Sequence, residues 1–270
     1  MADHAIFGPA WQRQRGLLSP REQAALAGAR VSVLGQGGVG GVAAELLVRA
    51  GVGRVSICDG DRFEASNLNR QVGATRDSLG RDKAEVMAER LRGINPELDL
   101  RVLPPVSDRA SAERALAGAA AGVLAIDALA PSLRALRAAR RLQVPLVEAL
   151  ALPVIQVRVF QPHGPDPEEG WPSQGQDLDQ VDPERLAEAY TRLEAPRWRD
   201  GHGGAFTLEA RAALAMAQGA APPSLGPLVW MAGALAALET MKLIIGRGRL
   251  ACYPGGAALD PAAWRLHFDG

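Results

Sequence analysis

The stretch from residue 31 to residue 59, VSVLGQGGVGGVAAELLVRAGVGRVSICD, leaves this chain few folds to choose from. An apolar run feeds a turn containing Gly35, Gly37, Gly38 and Gly40. Apolar residues then recur at helical spacing, and a second apolar run closes on Asp59. The pattern is strand, tight turn, helix, strand. Glycines at such a turn let backbone N–H groups approach a phosphate, and the positive end of the following helix favours its charge. An acid 19 residues beyond Gly40 is placed to hydrogen-bond a ribose hydroxyl.

The rest of the chain extends this unit. Strands are predicted at 31–34, 54–59, 99–103, 122–127 and 145–149, alternating with helices at 39–51, 81–92, 110–121 and 132–142. Alternating βα units imply an α/β fold, a doubly wound, mainly parallel Rossmann-like sheet with ligands at the strands' C-terminal ends. Gly40, Asp59 and Asp127 all fall at that edge. Residues 1–29 read as an N-terminal arm and short helix, with Ser19 as cap and Pro20 in its first turn. Residues 30–160 are the nucleotide-binding core, 161–207 a crossover segment rich in Pro, Gly, Asp and Gln, and 208–270 C-terminal helices and closing strands, one domain in all. Within these, 154–160 has strand character and helices are expected at 183–193, 209–218 and 225–245, with strands at 249–253 and 264–268.

Composition excludes several classes. With 30 basic and 30 acidic residues the formal net charge is zero, so no electrostatic footprint for nucleic acid or an anionic membrane exists. Residues 225–245 are apolar but interrupted by Pro227, Glu239 and Lys242, which favours a buried helix over a membrane span. No apolar leader is seen at the N-terminus, and a cytoplasmic location is expected. Two cysteines, Cys58 and Cys252, form neither a disulfide framework nor a Cys-only zinc site. Only Lys83 and Lys242 are lysine among the 30 basic residues, so a lysine here is a choice.

The loop after Asp59 is more specific than the glycines. It reads DGDRFEASNLNRQ, followed by GRDK at 80–83 and INP at 94–96. In these motifs the sequence resembles the MoeB/ThiF family of adenylyltransferases, bacterial relatives of ubiquitin-activating enzymes. The likeness covers about residues 12–160 and returns at 227–246. The resemblance implies that Gly35, Gly37, Gly38 and Gly40 lie near the phosphates of ATP, with Asp59 on the ribose and Asp61 beside it. It places Asn67, Arg70, Gln71 and Lys83 on the triphosphate, and Asp127 on Mg2+. Arg13 of the N-terminal arm, with Arg15 as its competitor, would reach the site of a partner subunit in a homodimer. Where the family often has Asp-Asn, this chain has Asp127-Ala128, and Leu124 replaces an upstream Asp.

The implied reaction is attack of a carboxylate on the α-phosphate, giving an acyl-adenylate and pyrophosphate. Fixed cations are needed because two anions must meet. The implied client is the C-terminal glycine of a ubiquitin-like or sulfur-carrier protein; a small-molecule or peptide carboxylate is the alternative. A silent scaffold binding a ubiquitin-like partner and an NAD-dependent oxidoreductase also remain open. Two features common in the family are missing from the sequence: the CxxC pairs for zinc, where 162–171 reads PHGPDPEEGW, and a thioester-forming cysteine in 161–204. Zinc is therefore not expected, and the reaction would stop at the adenylate or pass it directly to an outside nucleophile.

Overall fold

The computed structural model describes residues 8–152, 154–193, 223–261 and 264–269. Its centre is one eight-stranded sheet in the order β3-β2-β1-β4-β5-β6-β7-β8. The strands are β1 (Arg30–Leu34), β2 (Arg54–Cys58), β3 (Asp99–Leu103), β4 (Ala121–Leu124), β5 (Leu146–Leu152), β6 (Val154–Phe160), β7 (Gly256–Asp260) and β8 (Arg265–Asp269). β1 to β5 pair in parallel, and β6, β7 and β8 continue the sheet antiparallel. The order reverses between β1 and β4, which opens a crevice where their C-terminal ends diverge.

Side chains of β1 show how two layers form. Val31 and Val33 join one core cluster, and Leu34 joins the other, because successive residues of a strand face opposite ways. The first cluster gathers α2 (Gly38–Arg49), α3 (Lys83–Ile94) and the long C-terminal helix α7 (Gly226–Ile245). The second gathers α4 (Arg109–Leu116), α5 (Leu129–Leu142), α6 (Pro183–Leu193) and buried Trp171, Leu178 and Val181. Ser32 faces this second layer, and its buried hydroxyl donates to Ala115 O at 2.6 Å, so burial leaves no orphan there. The first helix, α1 (Pro20–Gly28), starts in a capping box in which Ser19 and Glu22 serve each other's backbone N–H.

α7 is long and apolar enough to cross a membrane by length and composition. In the fold it lies across α2. A Cβ at Gly233 would fall 2.7 Å from Cβ of Val42, so the glycine is what lets the two helices come this close. Glu239 pairs with Lys242, which also donates to Arg249 O, tying the end of α7 to the following strand connection.

Between β6 and α6 the chain is fastened to α5 by arginines. Arg137 donates Nε–H to Oε1 of Glu168 at 2.6 Å and Nη2–H to Oε2 at 2.7 Å. It also donates to the carbonyls of Ser173 and Gln176, while Arg140 donates to those of Gly164 and Pro165. The stretch 162–171, the place of the first CxxC pair in the resembling family, is thus stapled by an ion pair.

Several predicted boundaries move. The strand expected at 249–253 is only an isolated bridge, Val159 to Cys252; Pro254 offers no N–H and the ladder resumes at Gly256. β5 runs on to Leu152 rather than stopping at 149, and β4 ends at Leu124, leaving Asp127 in the connection beyond it. The helix expected at 81–92 starts at Lys83. The helix expected at 209–218 lies outside the described residues.

Candidate functional site

The turn after β1 is built by close approach. Gly35 has φ +94°, and a Cβ there would sit 2.3 Å from Ala125 O; one at Gly40 would sit 2.0 Å from Gly35 O. Gly38 is pressed by Val229 of α7, 2.4 Å from where its Cβ would be. Packing therefore explains three of the four motif glycines. Gly37 is different: its nearest neighbour would be Nε2 of Gln71 at 3.7 Å, an ordinary contact. The N-cap of α2 is Gly37, and no side chain caps the helix, so its first-turn N–H groups face the crevice without a side-chain acceptor. Backbone N–H groups so placed can receive an anion.

Asp59, just past β2, locks this turn to the next loop. Its Oδ2 accepts from Gln36 N–H at 2.6 Å and its Oδ1 from Asp61 N–H at 2.8 Å. Burial pushes its carboxyl above the ordinary range; the two N–H donors and the nearby Lys83 pull the other way. Each oxygen keeps a lone pair for a further donor. Lys83 is the first residue of α3, a position where the helix repels cations, and its side chain is only 9% exposed. It donates from Nζ to Oδ2 of Asp61 at 2.9 Å, and Asp61 itself is exposed. Two acids and a buried lysine therefore share one corner of the crevice.

The 65–71 loop forms the opposite wall. Asn67 is buried, and its Oδ1 accepts from Glu64 N–H at 3.0 Å, so the side chain shapes the turn. One of its amide hydrogens goes to Ser66 Oγ at 3.3 Å, leaving a second. Arg70 donates from Nη1 to Ser66 O and to Asn69 Oδ1 at 2.9 and 3.0 Å, and its Cγ would lie 3.7 Å from a Cβ on Gly38. Its stem therefore covers the start of α2 while Nε–H and Nη2 remain available. Gln71 is buried beside Gly37, and its Oε1 has no partner. Gln36 Oε1, in the same turn, is likewise without a partner.

Asp127 is exposed past the end of β4 and makes no hydrogen bond or ion pair with a described residue. Arg13 stands apart from all of these. The arm is fastened by Trp11 and Gln14, whose side chains donate to Arg49 O at the far end of α2. α2 has 12 residues, about 18 Å of helix at 1.5 Å per residue, so Arg13 lies at the other end from Gly37. Arg13 is exposed, whereas Arg15 is engaged within the chain.

Sequence reading missed two contributors, Gln36 and Trp230. Gln36 is wholly buried, donates from Nε2 to Val33 O and Gly35 O, and positions Asp59 through its N–H. Its place between two motif glycines was a usable signal. Trp230 donates Nε1–H to Arg70 O at 2.8 Å, and Asn69 donates to Ser224 O at 2.9 Å. These bonds dock the start of α7 on the loop across more than 150 residues of sequence, and nothing local announces them.

Among the described residues no group of three or more His, Cys, Asp or Glu could hold a metal. Mg2+ is commonly bound through one or two carboxylates plus substrate phosphates and water, and Asp127 and Asp61 are exposed carboxylates at this edge.

Comparison with known proteins bears on the family and the fold. Over 147 residues, 53% of this chain, the sequence is 37% identical to the tRNA threonylcarbamoyladenosine dehydratase of Escherichia coli K12. It is 42% identical over 87 residues, 32% of the chain, to a sulfur carrier protein adenylyltransferase of Thermus thermophilus. The matched stretches span 55% and 32% of those proteins' own lengths, about half or less. Among solved structures, the E. coli tRNA N6-threonylcarbamoyladenosine dehydratase with AMP superposes with a TM-score of 0.61 at 26% identity, covering 89% of this chain and 97% of that one. E. coli MccB with ATP gives 0.67 at 18% identity, covering 93% and 66%, a likeness of fold. The ThiF family profile matches residues 11–265, nearly the whole length, and the chain belongs to that family.

Proposed function

We propose that this chain activates a carboxylate by adenylation: a carboxylate oxygen bonds to the α-phosphorus of ATP and pyrophosphate leaves. The observation that carries this reading is the convergence, at one sheet edge, of an uncapped helix start, buried Lys83 and Arg70. The helix start and Gly37 take the phosphates, with Gln71 beside them. Asp59 accepts from the ribose. Lys83 exchanges Asp61 for the phosphate anion, and Arg70 offers the donors that its loop does not use. Fixed cations of this kind are each worth about 10²–10³-fold where charge builds up in a transition state. Asp127 would hold Mg2+, which when bound neutralises charge on the triphosphate.

We infer a homodimer, with Arg13 acting on the partner's site. In its own chain the arm is fastened at the wrong end of α2. The exposed, uncharged line Pro227, Trp230, Ala234 and Leu238 on α7 offers a face for a second copy. A cytoplasmic location follows from the need for ATP. The client we favour is the C-terminal segment of a ubiquitin-like or sulfur-carrier protein, with a peptide or small carboxylic acid as the alternative.

Exchange of labelled pyrophosphate into ATP, run with a panel of peptide and small carboxylic acids, tests the proposal. Acid-dependent exchange is expected. Binding of a ubiquitin-like protein with no exchange for any acid would favour a silent scaffold instead.

A further inference from the structure

Arg70 is held from two directions by the start of α7. Its main-chain oxygen accepts from Trp230 Nε1–H at 2.8 Å. Its guanidinium is held through Asn69: Nη1 donates to Asn69 Oδ1 at 3.0 Å, and Asn69 Nδ2 donates in turn to Ser224 O at 2.9 Å. The amide can stand only this way round, because a guanidinium has no acceptor and a carbonyl has no hydrogen. Position 69 must therefore accept and donate at once, which an ionised aspartate could not do. Nη1 is fully committed, since it also donates to Ser66 O at 2.9 Å. The guanidinium is a rigid planar fork. Tying Nη1 to two acceptors thus sets the directions of Nε–H and the two Nη2 hydrogens, the donors that the loop leaves over.

The packing under these bonds is close. A Cβ on Gly226, the first residue of α7, would sit 2.5 Å from Asn69 O. One on Gly38 would sit 2.4 Å from Val229 Cγ1 and 3.7 Å from both Cγ and O of Arg70. Gly226, Val229 and Trp230 are three and four residues apart, so one face of α7 touches the 65–71 loop and the phosphate turn together. Stability does not account for the two bonds. Asn69 is exposed and Trp230 is 48% exposed, so water could replace either partner, and a bond exchanged for water adds little to folding. What they supply is geometry, and a displacement of about 1 Å at a reacting centre can cost about 10²-fold in rate. Resting on the reading of Arg70 as a donor to the triphosphate, we propose that Trp230 and Asn69 are positioning residues: they aim the Arg70 guanidinium and touch no substrate themselves. Through them α7 sets the phosphate loop from 160 residues further along the chain.

The test is the affinity of the intact chain for ATP, measured by calorimetry. Trp230→Phe and Asn69→Ala are each made in the wild-type chain and in Arg70→Met. Phenylalanine keeps a ring against the loop; methionine keeps a stem over Gly38 and removes the guanidinium. In the wild-type chain each substitution should raise the Kd for ATP about tenfold, the scale of one hydrogen bond to a charged group. Tm should stay within about 4 °C of wild type. In the Arg70→Met chain neither should change the Kd by more than about twofold, because the group they aim is gone. A merely structural role would raise the Kd equally in both chains, and that result overturns the proposal. So does an unchanged Kd in the wild-type chain, or Arg70→Met binding ATP as tightly as wild type. Pyrophosphate exchange with the acid panel separates the two readings: no exchange by wild type with any acid removes adenylation, while the paired Kd values still decide the positioning.

Discussion

Replacing Arg137 by methionine should destabilise the fold more than any surface substitution, because it strands a buried carboxylate. Glu168 is 6% exposed at its side chain and Arg137 24%. With the guanidinium gone, Glu168 keeps only the Ser173 hydroxyl, which donates to its Oε2 at 2.6 Å, and the carbonyls of Ser173 and Gln176 lose a donor. Removing one member of a buried pair costs about 3–5 kcal/mol. Since Arg137 touches water along one side, the lower end, about 3 kcal/mol, is the expectation. For a chain of this size each kcal/mol moves Tm by roughly 2–4 °C, so the drop should be about 6–12 °C. Thermal unfolding followed by circular dichroism measures it, and a Glu-specific endoproteinase should cut at Glu168 or Glu169 before the core unfolds. The double variant Arg137→Leu with Glu168→Leu removes both charges and should recover most of the loss. A Tm within about 1 °C of wild type for Arg137→Met would refute the staple, given that conversion. Zinc analysis completes the picture: metal content should stay well below one per chain, and chelators should leave Tm unmoved.

Further outcomes are expected at the glycine turn, at Cys58 and at the arm. Gly35→Ala meets Ala125 O and a left-handed backbone, and should cost about 2–5 kcal/mol in denaturant unfolding. Gly37→Ala has room, so it should fold normally yet raise KM for ATP at least about tenfold, the loss of one phosphate-binding approach. Burial raises the Cys58 thiol to about 11, with Asp59 adding to the rise and a hydrogen bond from Gly35 opposing it. The folded state therefore holds a proton that the unfolded state releases first, and stability should fall by on the order of 2–3 kcal/mol as pH rises from 9 through 11. In alkylation at pH 8, Cys58 should react only after unfolding, read by mass spectrometry. Arg13→Ala and Lys83→Ala, each inactive alone, should regain about a quarter of wild-type activity when co-refolded, because half the dimers carry one intact site of two; no recovery would place Arg13 outside the partner's site.

Much of this architecture could be read from residue order, and the reasons are local. The βαβ unit around Gly35 is legible because strand and helix periods differ and glycines mark the turn. Lys83 stood out because the chain writes nearly every other basic position as arginine. What stayed hidden is long-range or depends on backbone counting. Arg137 meets Glu168 across 31 residues, and Trp230 meets Arg70 across 160. The 249–253 stretch alternates like a strand, but Pro254 and Gly255 interrupt pairing before a ladder forms. That β4 stops at Leu124 while β5 runs to Leu152 was hidden too, because apolar runs do not reveal relative strand length to within a residue or two.

The central claim rests on Lys83, the buried cation beside the phosphate turn. Pyrophosphate exchange with a competent carboxylic acid, compared between wild type and Lys83→Ala with Tm matched, addresses it directly. The account predicts a fall of about 10²–10³-fold in exchange for Lys83→Ala. Exchange that survives the substitution unchanged would contradict it.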